Sequence, residues 1–173
     1  MEIDKIGLGG GCHWCTEAVF LALRGVEKVE QGWLSSQDQP DFLSEGVIVH
    51  FQEAVISLKI LLHIHLLTHS SSSQHSMRSK YRSAIYVYTD QQEKQAKAII
   101  QELQTGFPQP IITEVVQAYH FKGNEAQFLN YYFNDPQKPF CQTYIDPKIQ
   151  LLIQQFGQVV DHEKLSHSSN LPH

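Results

Sequence analysis

Three glycines followed by a cysteine, Gly9-Gly10-Gly11-Cys12, divide an alternating apolar stretch from a helical one. Ile3 to Leu8 alternates as a short strand does, whereas His13 to Leu23 carries Trp14, Ala18 and Leu21 at helical spacing. Strand, tight turn and helix are therefore expected, with Cys12 near the helix N-terminus. The alternation continues along the chain. Gly25 closes the first helix, Val26 to Trp33 reads as a strand, Ser35 to Leu43 as a polar loop and Val47 to Phe51 as a third strand. A helix is expected from Ser57, a favourable N-cap, to about Thr68; it is apolar almost all round and so belongs against a sheet. Ser70 to Ser79 is a Ser-rich surface loop and Ala84 to Tyr88 a strand. Asp90 caps the next helix, with Glu93 three residues on as in a capping box. Ile111 to Val116 is another strand, and Asp146-Pro147 opens a helix with the stripe Ile145, Ile149, Leu152 and Phe156. The pattern predicts an α/β (α+β) fold, a mixed β-sheet with flanking helices in two layers. Residues 1–160 read as one domain and 161–173 as a flexible polar tail.

At 173 residues and 42% hydrophobic positions, the chain is long enough for one core and too apolar for disorder. Its longest greasy stretch, Ala54 to Leu67, is interrupted by Ser57, Lys59, His63 and His65 and falls short of the ~18 residues that span a membrane. The N-terminus shows no basic segment leading into an apolar one, so a cytoplasmic location is expected. A formal charge of −5 argues against nucleic acid as a partner. No GxGxxG or P-loop follows the glycines, and no bound cofactor is expected. His65 and His69 are four apart, with His63 and His75 nearby, but His63 and His65 point to different helix faces; no metal site is expected.

Three cysteines make an odd number, which disfavours a structural disulfide scaffold and points to thiol chemistry. A thiol acts as a nucleophile through its anion, and a helix N-terminus stabilises that anion with unpaired N–H groups. Cys12 is placed to receive this help. Cys15, three residues on, forms a Cys-x-x-Cys pair with it on one helical turn, while Cys141 lies far down the chain.

Three blocks, in order, carry a resemblance. Gly11-Cys12-His13-Trp14-Cys15-Thr16-Glu17-Ala18-Val19-Phe20 is similar to the Gly-Cys-Phe-Trp-Gly-x-Glu-x-x-Phe signature of the peptide methionine sulfoxide reductase A (MsrA) family. Tyr81-Arg82-Ser83-Ala84-Ile85-Tyr86 resembles its Tyr-Arg-Ser-Ala-Ile-Tyr block. Asn134-Asp135-Pro136, Phe140-Cys141 and Ile145-Asp146-Pro147-Lys148 resemble its C-terminal block. The resemblance implies a sheet with a βαβ core and reduction of methionine-S-sulfoxide, free or in proteins, as oxidative-damage repair. It implies that Cys12 attacks the sulfoxide sulfur and becomes a sulfenic acid, which a second thiol converts to a disulfide for thioredoxin to reduce. It makes Glu45 the proton donor, Tyr81 the hydroxyl that holds the sulfoxide oxygen, and Trp14 with His13 the wall for the substrate methyl group. Glu17 reads as a surface or first-turn structural acid.

His13 stands where the signature has phenylalanine, and an imidazole there is placed to lower the Cys12 pKa; Cys15 stands where it has glycine. Two residues therefore compete to resolve the sulfenic acid, Cys15 by local geometry and Cys141 by family position, the latter favoured. The segment before Tyr81 lacks the family aspartate, Phe42-Leu43 replaces Gly-His before Glu45, and the upstream substrate tyrosine has no clear counterpart. Two alternatives follow: a thiol–disulfide oxidoreductase working through Cys12 and Cys15, and a non-catalytic relative that binds methionine-rich surfaces.

Overall fold

The computed structural model describes residues 2–71 and 80–166. Five strands, β1 (Asp4–Gly9), β2 (Val26–Ser36), β3 (Gln39–Phe51), β4 (Ala84–Val87) and β5 (Glu114–Gly123), form one mixed sheet. Among the described residues six α-helices accompany it: α1 (His13–Leu21), α2 (Leu58–Thr68), α3 (Asp90–Leu103), α4 (Tyr131–Asn134), α5 (Asp146–Phe156) and α6 (His162–Ser166). β4, α3 and β5 make the expected βαβ unit, with Ala84 opposite Glu114 in parallel register. The other pairings are antiparallel, and β2 against β5 joins the two sheet edges into a closed ring in the order β1-β3-β2-β5-β4.

Closure gives the sheet two buried faces. Val47, Val49 and Phe51 point toward the helices and join a large core with Ile6, Leu8, Phe20, Leu61 and Ile149. The intervening Ile48 points inward, with Leu34, Ala84, Tyr86 and Val116, into a second core inside the ring. This explains why Val47, Ile48 and Val49 of β3 are apolar in succession, before His50 turns out to pair with Glu30. A row of glycines crosses the ring at one level: Gly9 pairs with Gly46, Gly46 with Gly32, and Gly32 with Gly123. At Gly46 a Cβ would stand 2.7 Å from the Leu8 carbonyl oxygen, so a side chain there is incompatible with the tight curvature.

The segment expected as a loop, Ser35 to Leu43, is the tip of a β2–β3 hairpin, turning at Gln37-Asp38. The ladder jumps from Leu34–Ser44 to Ser36–Gln39, leaving Pro40 in an irregularity where its missing N–H is no loss. β5 begins at Glu114, not Ile111; the Ile112 N–H bonds to the Ser71 carbonyl, and the strand continues to Gly123 because β2 supplies a second partner. Ser57 caps α2 as expected, its hydroxyl accepting from the Ile60 N–H. The cap of α3 is Thr89, one residue before Asp90: its hydroxyl accepts from the Gln92 N–H, while the Gln92 side chain accepts from the Tyr88 N–H. The expected polar tail carries α6, with Leu165 buried; residues 167–173 and most of the Ser70–Ser79 loop lie outside the described residues. Among the described residues no helix is long and apolar enough to cross a membrane, and no metal-binding cluster of His, Cys, Asp and Glu forms. His75 of the metal reading lies outside them.

Candidate active site

β1 delivers the chain to Gly9, and Gly10, with φ +141°, turns it into α1. Cys12 is the N-cap of α1, and its carbonyl accepts from the Cys15 N–H at 3.1 Å and the Thr16 N–H at 3.2 Å. It lines a cavity of about 560 Å³ together with Cys15, Tyr81, Phe140, Tyr144 and Lys148. The Cys12 pKa is lowered: a hydrogen bond from the Cys15 thiol contributes most, and the Trp14 and Cys15 amides at the helix start add to it, against burial and the nearby charge of Glu45. The same contact drives the Cys15 thiol far upward, because its hydrogen is held by Cys12 and its own ionisation would put two buried anions side by side. Cys141 is fully buried in the turn before α5, its thiol aimed at the Asp135 carbonyl oxygen at 3.6 Å, and burial raises its pKa.

Glu45 reaches the same region from β3, where it pairs with Trp33 of β2. It is buried, with Oε1 3.3 Å from both the His13 N–H and His13 Nε2 and Oε2 3.4 Å from Lys80 Nζ. Tyr81 follows Lys80 and stands 5.1 Å below its ammonium, so the acid and the hydroxyl are tethered to one short segment.

Trp14 stacks flat on Tyr131, ring centroids 4.1 Å apart and 7° from parallel, with Phe140 edge-on at 5.4 Å. The match of the chain to known proteins runs along this same framework. The family model for peptide methionine sulfoxide reductase matches residues 4–159. The chain belongs to the peptide methionine sulfoxide reductase family. It is 37% identical to the peptide methionine sulfoxide reductase MsrA of Deinococcus radiodurans, over 86% of this chain and 80% of that protein. It is 34% identical to that of Trichodesmium erythraeum, over 91% and 98%. Solved relatives share the fold: Mxr1 from Saccharomyces cerevisiae in reduced form superposes with a TM-score of 0.69 at 22% identity, covering 83% of this chain and 91% of Mxr1. Mxr1 in complex with Trx2 gives 0.60 at 21% identity, covering 73% and 84%.

Of the residues expected in the reductase site, Cys12, Cys15 and Tyr81 line the cavity, and Glu45 lies against His13 within electrostatic reach of Cys12. The expected methyl wall differs. Trp14 is covered by Tyr131 and supports Phe140, so Phe140 and Tyr144 present the apolar cavity surface in its place. His13 points into the sheet, its Nδ1 2.8 Å from the Gly32 carbonyl oxygen, rather than into the cavity or toward Cys12. Glu17 is a structural acid but not a surface one: it is buried and accepts the N–H groups of Asn130 and Tyr131 at 2.9 and 3.1 Å. Trp33, Lys80, Tyr131 and His69 also surround the site and carried no clear sequence signal. Trp33 reaches it through hairpin register, Tyr131 through a left-handed turn at Asn130, and His69 through a hydrogen bond to Ser83 at 2.8 Å.

Proposed function

We propose that this family member reduces methionine-S-sulfoxide, free or in proteins, to methionine. The observation that carries the reading is the Cys12 thiol itself, a helix N-cap with a lowered pKa at the wall of a cavity whose rings suit a thioether. Cys12 thiolate attacks the sulfoxide sulfur while Glu45 gives a proton to the departing oxygen and the Tyr81 hydroxyl holds it. The sulfoxide sulfur is reduced to a thioether, and Cys12 is oxidised to a sulfenic acid. A negative Cys12 and a negative Glu45 oppose each other, so the thiolate is less opposed when the carboxyl carries the proton it donates.

Cys15 then condenses with the sulfenic acid, forming the Cys12–Cys15 disulfide and water. Its hydrogen bond to Cys12 supports it as the resolving thiol over Cys141, which is engaged with Asp135. Thioredoxin or a similar dithiol restores the pair by exchange, and the complex of Mxr1 with Trx2 supports that partner. The catalytic domain spans residues 1–160, a reading supported by the family match. A thiol that works through reversible oxidation and reduction by a dithiol supports a reducing compartment, the cytoplasm.

Incubation of the pure protein with dithiothreitol and each sulfoxide epimer tests the function: methionine from the S epimer is expected, and disulfide reduction without methionine would assign the chain to thiol–disulfide exchange instead. Peptide mapping after one turnover tests the resolving thiol, with a Cys12–Cys15 bridge expected; a Cys12–Cys141 bridge overturns that assignment.

A further inference from the structure

Beneath the cavity lies a polar chain that sulfoxide attack alone does not require. His13 and Glu45 are both buried, at 5% and 7% side-chain exposure, with Trp33 edge-on to the imidazole at 5.1 Å. The Gly32 carbonyl oxygen can only accept, so His13 Nδ1 keeps its hydrogen and Nε2 alone gains or loses a proton. Nε2 meets two groups, Glu45 Oε1 at 3.3 Å and the Asn124 amide nitrogen at 3.4 Å. The Asn124 orientation is set from both ends: its oxygen accepts from the Glu125 N–H at 2.9 Å, and its nitrogen donates to Gln31 Oε1 at 2.6 Å. Gln31 is oriented in turn by donation to the Phe128 carbonyl.

We propose that His13 and Glu45 share one proton, His13 acting as the positioning residue that holds it and passes it to Glu45 for transfer to the sulfoxide oxygen. The inference rests on the reductase reading above. Each state of the pair has partners. With the proton on Glu45, its O–H donates to the Nε2 lone pair while the Asn124 amide donates to Gln31. With the proton on Nε2, the imidazolium faces a carboxylate whose other oxygen meets Lys80 Nζ at 3.4 Å. Two further charged groups lie near the pair: the Cys12 thiol, whose ionisation Glu45 opposes, and Lys122, whose ammonium stands 5.8 Å over the Trp33 ring that packs on His13. In the transfer the sulfoxide S–O bond breaks, an O–S bond to Cys12 forms, and the Glu45 proton ends on the sulfenic oxygen. The electron pair of the thiolate reduces the sulfoxide sulfur to the thioether. The pair, left without its shared proton, takes the next one from water at Nε2 and passes it on to Glu45. A phenylalanine at position 13 offers no such store.

The test is the rate of methionine formation in a single turnover without reductant, measured against pH for the wild type, His13→Phe and His13→Ala. Both variants are expected to match the wild type in acid, where solvent protonates Glu45, and to fall on the order of ten-fold or more below it above neutral pH. The KM for sulfoxide is expected to stay unchanged, and added imidazole to restore His13→Ala. Parallel pH profiles, or a change in KM alone, would overturn the inference. A readout independent of turnover is the His13 Nε2 nitrogen resonance against pH in Glu45→Gln, whose midpoint is expected to move to lower pH; an unmoved midpoint overturns the shared proton. A wild type that forms no methionine overturns the reductase reading, whereas a wild type that does so beside variants with its own pH profile overturns only the role of His13.

Discussion

The Glu17 carboxylate accepts the Tyr131 backbone N–H at 3.1 Å and so sets the ring that covers Trp14. One buried acid on α1 thereby fixes an aromatic layer contributed more than a hundred residues later. Burial raises its pKa above the ordinary 4.5, against the opposing pull of the Asn130 and Tyr131 N–H groups. The folded chain therefore holds this proton more tightly than the unfolded one. Stability contributed by Glu17 is full below 4.5 and falls as pH rises through the raised value. Glu17→Gln is expected to flatten that part of the stability–pH curve, and Glu17→Ala to cost about 2–3 kcal/mol by orphaning two N–H groups. Denaturant titrations at several pH values measure both; identical curves for wild type and Glu17→Gln would refute the assignment.

Cys15 is the largest cause of the lowered Cys12 pKa. Cys15→Ala is therefore expected to move the Cys12 ionisation midpoint upward while leaving a first turnover possible. The rate of Cys12 alkylation against pH reads the midpoint directly, and an unshifted profile would place the stabilisation in the helix amides alone.

His65 is buried on α2, where desolvation and the neighbouring His69 hold its pKa well below 6.5. It stays neutral in the fold, whereas the unfolded chain takes up a proton as pH falls below 6.5. Its contribution to stability is thus complete above that value and is lost progressively on acidification. The melting temperature of His65→Gln is expected to depend less on pH over this range than that of the wild type. An equal slope in both would show that other groups govern acid unfolding.

Gly10 has φ +141°, and a Cβ there would run into the His69 ring, which is held by Ser83. Gly10→Ala is expected to destabilise the fold by about 1–3 kcal/mol, through strain at a positive φ and displacement of His69. Thermal unfolding checks the cost, and a neutral change would mean the turn relaxes freely.

Local chemistry was legible because it needs only neighbours. The glycine turn, the Cys12 cap, Ser57 at the head of α2 and Pro147 in the first turn of α5 each follow from one residue's backbone or side-chain preference. The Cys12–Cys15 contact was legible for the same reason, since both residues share a helical turn. The β2–β3 hairpin was missed because its polar tip has no apolar alternation, and its ladder is held by β5 and the glycine row. For Glu17 the structural half of the reading held and the surface half did not, since its partners are backbone amides of a distant turn, which no side-chain pattern announces.

Residue order alone specified Cys12 at the helix start, the turn that sets its environment and the alternation of strands with helices, because these depend on contacts within a few positions. Ring closure, the covering of Trp14 by Tyr131 and the turning of His13 toward Glu45 depend on which distant segments share space. Only packing chooses among the many surfaces that could satisfy the same side chain, and so only the folded chain reveals them.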